Sequence, residues 1–395
     1  MMKMFFSNIL FAIIVLNTNA QSPLKLFIDS IANEYLKNNN DLALIIGINN
    51  RGNEQIFYYG ETEKGNKIHP DSSSIFEIGQ ISQVFTSILY ADMVIKGELN
   101  ADDQIQKYLP VTITSPMYEK IICKPVPKEN PFQKNADDYS KIEYTQYVCH
   151  PDPDIKPQPI LLCYLSTHTS GLPDLPTNIK KNKNNPYSNY SKNNLYDFLQ
   201  KYILSTPIGY DFHYSLLGTS LLGHILELKT KKDYKDLVLG NICSKLNMNN
   251  TSIPLNFDNI NILKGHNKKG KIAEHWTFDA LAPSGALNSN ITDMMKFLYA
   301  NISTDKYPLK DVLEYTHNPR ILIQNKKYGS ASVALGWMVS PLNIENLNYV
   351  WQSGLTGGFA SFIGFVETSR SGVVILSNTS APVEILGKNI IQKLN

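Results

Sequence analysis

Strand-like runs at both ends of this chain have to pair across a helical middle, and that constrains the fold more than any other feature. Near the start, "LALIIGINN" and "EQIFYYGET" are separated by Asn50-Arg51-Gly52-Asn53, which reads as a hairpin turn. Near the end, "ALGWMVSPL", "YVWQSG", "FASFIGFVE" and "GVVILSN" are short, apolar and bounded by turn residues. Helical spacing governs "LKLFIDSIANEYLKNN" before the first pair (Leu24, Phe27, Ile31, Tyr35) and a last helix from Val383 to Leu394. Between them, helical patterns run through "NLYDFLQKYI" and "LLGTSLLGHILELKT" to the early 240s, and again in "ITDMMKFLYANI". Terminal strands and helices around a helical middle predict one α+β unit, not beads on a linker.

With 395 residues, 43% of them hydrophobic and 18% charged, the chain can bury a sizeable core. Its formal charge of +2 gives no bias towards nucleic acid. The 8 histidines show no metal-ligand spacing and no two cysteines form C-x-x-C, so neither a metal centre nor a cofactor is expected. The first residues combine Lys3, an apolar run from Ile9 to Leu16 and a small residue, Ala20, before Gln21. That run is too short to span a bilayer, so residues 1–20 read as a secretory signal peptide. No later segment has the length of a transmembrane helix. Residues 21–395 then form one exported domain, with a surface insertion at about 115–158, where Pro, Lys, Asp and Tyr show no clear period.

Export permits disulfides. Cys123, Cys149, Cys163 and Cys243 allow three pairings; the first two flank the insertion, which favours that pair without excluding the others. N-x-S/T sequons stand at Asn189, Asn249, Asn250, Asn290, Asn301 and Asn378.

The stretch "FEIGQISQVFTS", Phe76 to Ser87, opens a helix running from Ser82 to Lys96, with Val84, Phe85, Ile88, Leu89 and Met93 on one side and Gly97 as its stop. This segment, together with "YLSTHTSGLPDLP", "NPYSNYSKNNLYDFL", "PIGYDFHYSLLGTSLLGHILE", "WTFDALAPSGALNSNITDMMKFL", "WQSGLTGGFASFIGF" and "GVVILSN", resembles the serine β-lactamase and penicillin-binding-protein-like family. The likeness is nearest to its class C and DD-peptidase branch. It implies an antiparallel sheet flanked by helices, with an inserted all-helical region.

It also implies three chemical elements. Ser and Lys of S-x-x-K share one face at a helix N-terminus, with Ser as nucleophile. Y-x-N supplies a Tyr for proton transfer and an Asn that orients. K-T-G or H-x-G lies on an edge strand, and the residue after its Gly offers one oxyanion N–H, the nucleophile's own backbone the other. Placed on this chain, the nucleophile and lysine positions are Gln80 and Gln83, the Asn position is Leu216, and the Lys or His position is Gln352. Tyr214 alone is retained.

A glutamine amide neither attacks nor titrates near neutral pH, and Leu216 makes no side-chain hydrogen bond. Losing members of a nucleophile–base unit costs about a millionfold in kcat. Ser82 lies roughly 200° around the helix from Gln80 and faces away. His168 and Ser170, in "THTSGLP", are expected to be buried turn residues. Gly354, Leu355 and Thr356 border a groove where a peptide-like or small-molecule ligand could bind, a peptide by strand addition. The three glutamines are expected to converge there in one hydrogen-bond network. The chain therefore reads as a binding or regulatory pseudoenzyme. The alternative is a serine hydrolase of β-lactamase, DD-peptidase or esterase type with a relocated nucleophile.

Overall fold

The computed structural model describes residues 22–126, 146–180, 182, 184–254, 257, 261–303, 308–323, 330–344 and 347–395. The signal-peptide expectation for residues 1–20 falls outside these. Eight strands form one antiparallel sheet in the order Ile321–Leu322, Ser332–Val333, Met338–Pro341, Asn348–Leu355, Ala360–Val366, Ser371–Ser377, Leu44–Asn50 and Asn53–Tyr59. The two ends of the chain meet where Leu44–Asn50 pairs with Ser371–Ser377. In the first hairpin Arg51 and Gly52 take φ of 56° and 93°, the geometry a two-residue turn needs, and the Asn49 side chain accepts the Gly52 N–H.

Both faces of this sheet are covered, and the period-2 alternation of its strands assigns side chains to two cores. Leu44, Ile46, Ile48, Phe362, Val373 and Ile375 pack with Ile28, Ala32, Ile390 and Ile391 of the terminal helices Pro23–Asn38 and Glu384–Leu394. Ile45, Ile363, Phe365, Val374 and Leu376 point the other way, into the larger core shared with the helical middle.

At the centre of that second core lies the helix Ser82–Ile95, which follows a single tight turn, Gly79–Ile81. The sequence pattern suggested one apolar side; instead every residue from Ser82 to Ala91 is buried. The helix is surrounded by the sheet, by Leu216–Thr230 and by Lys310–His317. Its polar residues are met inside: Thr86 donates to the Pro283 carbonyl at 2.6 Å and shares a 2.7 Å bond with the Tyr234 hydroxyl. Ser87 and Ser166 pair at 2.8 Å.

Within 115–158 the strands Ile121–Val126 and Gln146–Pro151 pair, and Cys123 and Cys149 are directly opposite and disulfide-bonded. The sequence showed no period here because no side chain described in the ribbon is buried: Ile121, Tyr147 and Val148 are all exposed. Residues 127–145 lie outside the described residues. Three sequons are structural: Asn290 caps the helix Ile291–Ile302 through the Asp293 N–H, Asn301 bonds His317, and Asn378 bonds the carbonyls of Thr62 and Lys264. All three are buried and unsuited to carrying a glycan.

Candidate functional site

The site forms where the turn Gly79–Ile81 presses against the end of the strand Asn348–Leu355. Two glycines permit this approach. A Cβ on Gly354 would stand 2.0 Å from the Ile78 carbonyl oxygen, and one on Gly79, whose φ is 51°, would stand 2.9 Å from the Leu355 nitrogen. The strand is not a sheet edge along its whole length, as the sequence suggested. Its first half, Asn348–Trp351, pairs with Met338–Pro341, and only Gln352–Leu355 runs past the end of that neighbour.

Along this overhang the outward backbone groups are met by glutamine side chains. Thr356 donates its N–H to Phe359 within the hairpin, so the alternate residues Leu355 and Ser353 turn their N–H groups the other way. Gln80 Oε1 accepts the Leu355 N–H at 2.6 Å, while its Nε2 donates to the Leu355 carbonyl at 3.3 Å. Gln352 Oε1 accepts the Ser353 N–H at 2.9 Å, and its Nε2 donates to the Gly336 carbonyl at 2.8 Å. Gln80 thus spans Leu355 as a neighbouring strand would.

The expected three-glutamine network does not form. Gln83, fully buried, donates its Nε2 to the Tyr214 hydroxyl at 3.1 Å, and its Oε1 finds no partner. Each glutamine amide reaches a backbone group or Tyr214, and none reaches another glutamine, because strand and turn backbone lie nearer than the opposite side chains. The Gln80 side chain lines the cleft and folds back onto Leu355.

Leu216 starts the helix Leu216–Thr230, capped by Ser215, and its side chain is buried against the site. His168 is buried, with φ of 56°; its ring packs on Tyr214 with centroids 4.7 Å apart, and Nδ1 accepts the Ser215 N–H. Burial lowers its pKa from 6.5 to about 4, so the ring is neutral. Ser170 is buried beside it, its Oγ accepting the Leu172 N–H. Ser82 is locked on the far side of its helix, donating to the Gly79 carbonyl at 2.7 Å and accepting the Leu287 N–H at 3.1 Å. Both of these partners are backbone groups, and among the described residues no side-chain base is hydrogen-bonded to the Ser82 hydroxyl. Thr356 is buried and its hydroxyl has no partner.

Beyond Gln80 opens a cleft of about 400 Å³, lined by His168, Tyr214, Leu216, Gln352, Ser353 and Leu355. Its walls also include residues that the sequence did not single out: Asp174, Tyr187, Trp276, Trp351 and Glu384. Tyr187 stands edge-on to Trp276 and stacks on Phe278. Glu77 anchors this wall, its Oε1 accepting the Trp276 N–H and bonding His275 Nδ1. Gly357 leaves room for the Trp276 indole, which a Cβ would meet at 2.7 Å. Among the described residues, no cluster of His, Cys, Asp or Glu could hold a metal ion, and no helix is long and apolar enough to cross a membrane.

A family model described as Beta-lactamase matches residues 29–393. This chain belongs to the β-lactamase family. A beta-lactamase of Providencia stuartii is 22% identical over 386 residues, covering 90% of this chain and 87% of its own length. The D-alanyl-D-alanine-carboxypeptidase/endopeptidase AmpH of Escherichia coli is 21% identical over 339 residues, covering 83% and 77%. Among solved structures, a class C beta-lactamase superposes with a TM-score of 0.73 at 19% identity, over 96% of this chain and 97% of that one. A beta-lactamase/D-alanine carboxypeptidase from Pseudomonas syringae gives 0.69 at 20%, over 94% and 97%. The expected β-lactamase/transpeptidase-like fold is therefore the fold observed. Within it, this β-lactamase-family chain brings Gln80, Gln83, Tyr214, Leu216 and Gln352 to one place, and none of the five is a serine, lysine or arginine.

Proposed function

We propose that this chain is an exported binding or regulatory protein with the β-lactamase fold, and that its cleft performs no serine acyl transfer. The observation that carries this reading is the bond from Leu355 N–H to Gln80 Oε1, at 2.6 Å. Leu355 is the residue after Gly354, the position whose N–H would face a developing oxyanion. Transition-state stabilisation of that kind needs the donor held free for the charge that forms. Here the chain's own amide oxygen holds it, from the position that would carry the nucleophile. The amide pair on Leu355 also occupies both groups that a peptide strand would use. A peptide adding to this edge has to displace Gln80 there and Gln352 at Ser353, so ligand binding is better served by the open cleft beside the edge.

The test is covalent labelling by a fluorescent penicillin. The natural protein is expected to stay unlabelled, as is Gln80→Ser alone, which lacks a base. Gln80→Ser/Gln83→Lys/Leu216→Asn/Gln352→His is expected to take up label. Stoichiometric labelling of the natural protein would overturn the proposal.

A further inference from the structure

Away from the cleft, a phenol, an imidazole and a carboxylate stand in line between two helices of the middle. The Tyr196 hydroxyl and His224 Nε2 are 2.7 Å apart, and His224 Nδ1 and Glu227 Oε2 are 2.9 Å apart. Helix periodicity brings them together. Tyr196 follows Lys192 by four residues on the helix Lys192–Lys201, and Glu227 follows His224 by three on Leu216–Thr230. Each helix therefore presents a pair on one face. Lys192 Nζ reaches Glu227 Oε2 at 2.8 Å, the same oxygen that meets His224. Glu227 Oε1 accepts the Tyr234 N–H at 3.0 Å, which holds the carboxylate from its other side. Asp233 and Asp279 also bear on Lys192.

The protons in this line have assigned places. Burial works against the charge on Glu227, but bonds from His224, Lys192 and the Tyr234 N–H outweigh it and hold its pKa below the usual value. An ionised Glu227 only accepts, so His224 Nδ1 carries a hydrogen, and in the neutral ring Nε2 accepts from the Tyr196 hydroxyl. This is the order of a nucleophile, its base and the group that orients the base. Burial raises the pKa of Tyr196, so its phenolate is scarce at neutral pH unless a base takes the proton. His224 is buried while Tyr196 is half-buried, so a reagent from solvent meets the tyrosine before the histidine.

We propose that Tyr196 is a covalent modification site, a base-activated phenol that takes a sulfonyl or phosphoryl group from a donor with an anionic leaving group. Tyr196 Oη forms a bond to the sulfur or phosphorus, and the leaving group departs with the electron pair of the bond that breaks. The phenolic proton passes to His224 Nε2, and the imidazolium stays paired with Glu227. Such centres suit the cluster because charge departs with the leaving group, whereas acyl transfer builds it on a carbonyl oxygen and calls for an oxyanion hole. The proposal goes beyond the reading of the cleft and does not depend on it.

The probes are benzenesulfonyl fluoride and diisopropyl fluorophosphate, used on the full chain, with adducts located by peptide mass mapping. Of the 22 tyrosines, Tyr210 is 77% exposed and serves as the internal reference. Tyr196 is expected to react at least roughly tenfold faster than Tyr210 with either probe, well within what a positioned base supplies. Its rate is expected to level off below about pH 8, short of the ionisation of a free phenol near 10. His224→Ala is expected to bring the rate down to that of Tyr210, and added imidazole to restore part of it, which a merely structural bond would not allow. Tyr210 reacting as fast as Tyr196 in the natural protein overturns the proposal. So does a Tyr196 rate that His224→Ala leaves unchanged. The comparison within the natural protein decides the matter even if the variant fails to fold. Penicillin reads the cleft and these probes read Tyr196, so either reading can fail without the other.

Discussion

Replacing Gln80 with alanine cuts both contacts to Leu355 and leaves the backbone of the turn and strand in place. The two bonds differ: the N–H contact is short, at 2.6 Å, and the carbonyl contact is long, at 3.3 Å. Gln80 is only half-buried, so water from the cleft can replace it at Leu355. The net loss for a bond of this kind is about 1 kcal/mol, at the middle of the usual range, and the weaker contact adds less. Amide hydrogen exchange at Leu355 reads this directly. A loss of about 1 kcal/mol speeds exchange roughly fivefold where local opening controls it. Gln80→Glu separates the two contacts, because a carboxylate still accepts the N–H but has nothing to donate to the carbonyl. Leu355 exchange is expected to stay slow in Gln80→Glu at neutral pH and to quicken in Gln80→Ala. Unchanged exchange in Gln80→Ala would refute the reasoning, since the N–H would then have some other partner.

His168 gives a pH signature. Its pKa falls from 6.5 to about 4 in the folded chain, so between those values the unfolded chain binds a proton that the folded chain does not. Stability contributed this way is present above pH 6.5 and is lost as pH falls towards 4, by up to about 3 kcal/mol. His168→Asn, which tolerates the positive φ and keeps an acceptor for the Ser215 N–H, is expected to flatten that part of the urea-stability profile. Gly354→Ala drives a methyl group into the Ile78 carbonyl and is expected to cost about 2–4 kcal/mol, seen as a lower denaturation midpoint and as loss of the Leu355 protection. Cys149→Ser opens a closure across 26 residues, worth about 3.5 kcal/mol by chain entropy alone, yet no described residue of the ribbon belongs to either core. Its expected effect on global unfolding is below about 1 kcal/mol, with local proteolysis at the ribbon increased.

Much of the frame was readable because it follows from short-range rules. The turn at Asn50–Asn53, the helix stop at Gly97 and the closing helix each carry their own chemistry in a few residues. The central helix lies where its pattern predicts, but it is buried all round: Ser82, Thr86 and Ser87 look like a polar face until Leu287 meets Ser82, Pro283 and Tyr234 meet Thr86, and Ser166 meets Ser87. The favoured Cys123–Cys149 pairing is the disulfide observed, but the two strands that carry it are not legible as strands, because their described residues bury no side chain that would set a period. At the site, motif order brought Gln80, Gln83, Tyr214, Leu216 and Gln352 together on paper, and the fold does so in space. What order could not show was direction. A glutamine has three side-chain torsions, and whether its amide reaches another glutamine or a strand backbone depends on distances of a few tenths of an ångström. Asp174 and Glu384 were overlooked for a related reason. One sits in an ordinary loop and the other in the first turn of a helix, where acids are common, and only tertiary packing turns both towards one cleft.

The measurement closest to the central claim is the intact mass of the natural protein after prolonged exposure to a β-lactam and to an activated ester. The expected result is an unmodified mass, with no acyl adduct and no accelerated loss of either reagent. A single adduct mapped by peptide analysis to a serine lining the cleft would contradict it. That outcome would mean that the groups around Gln80 and Leu355 still perform acyl transfer.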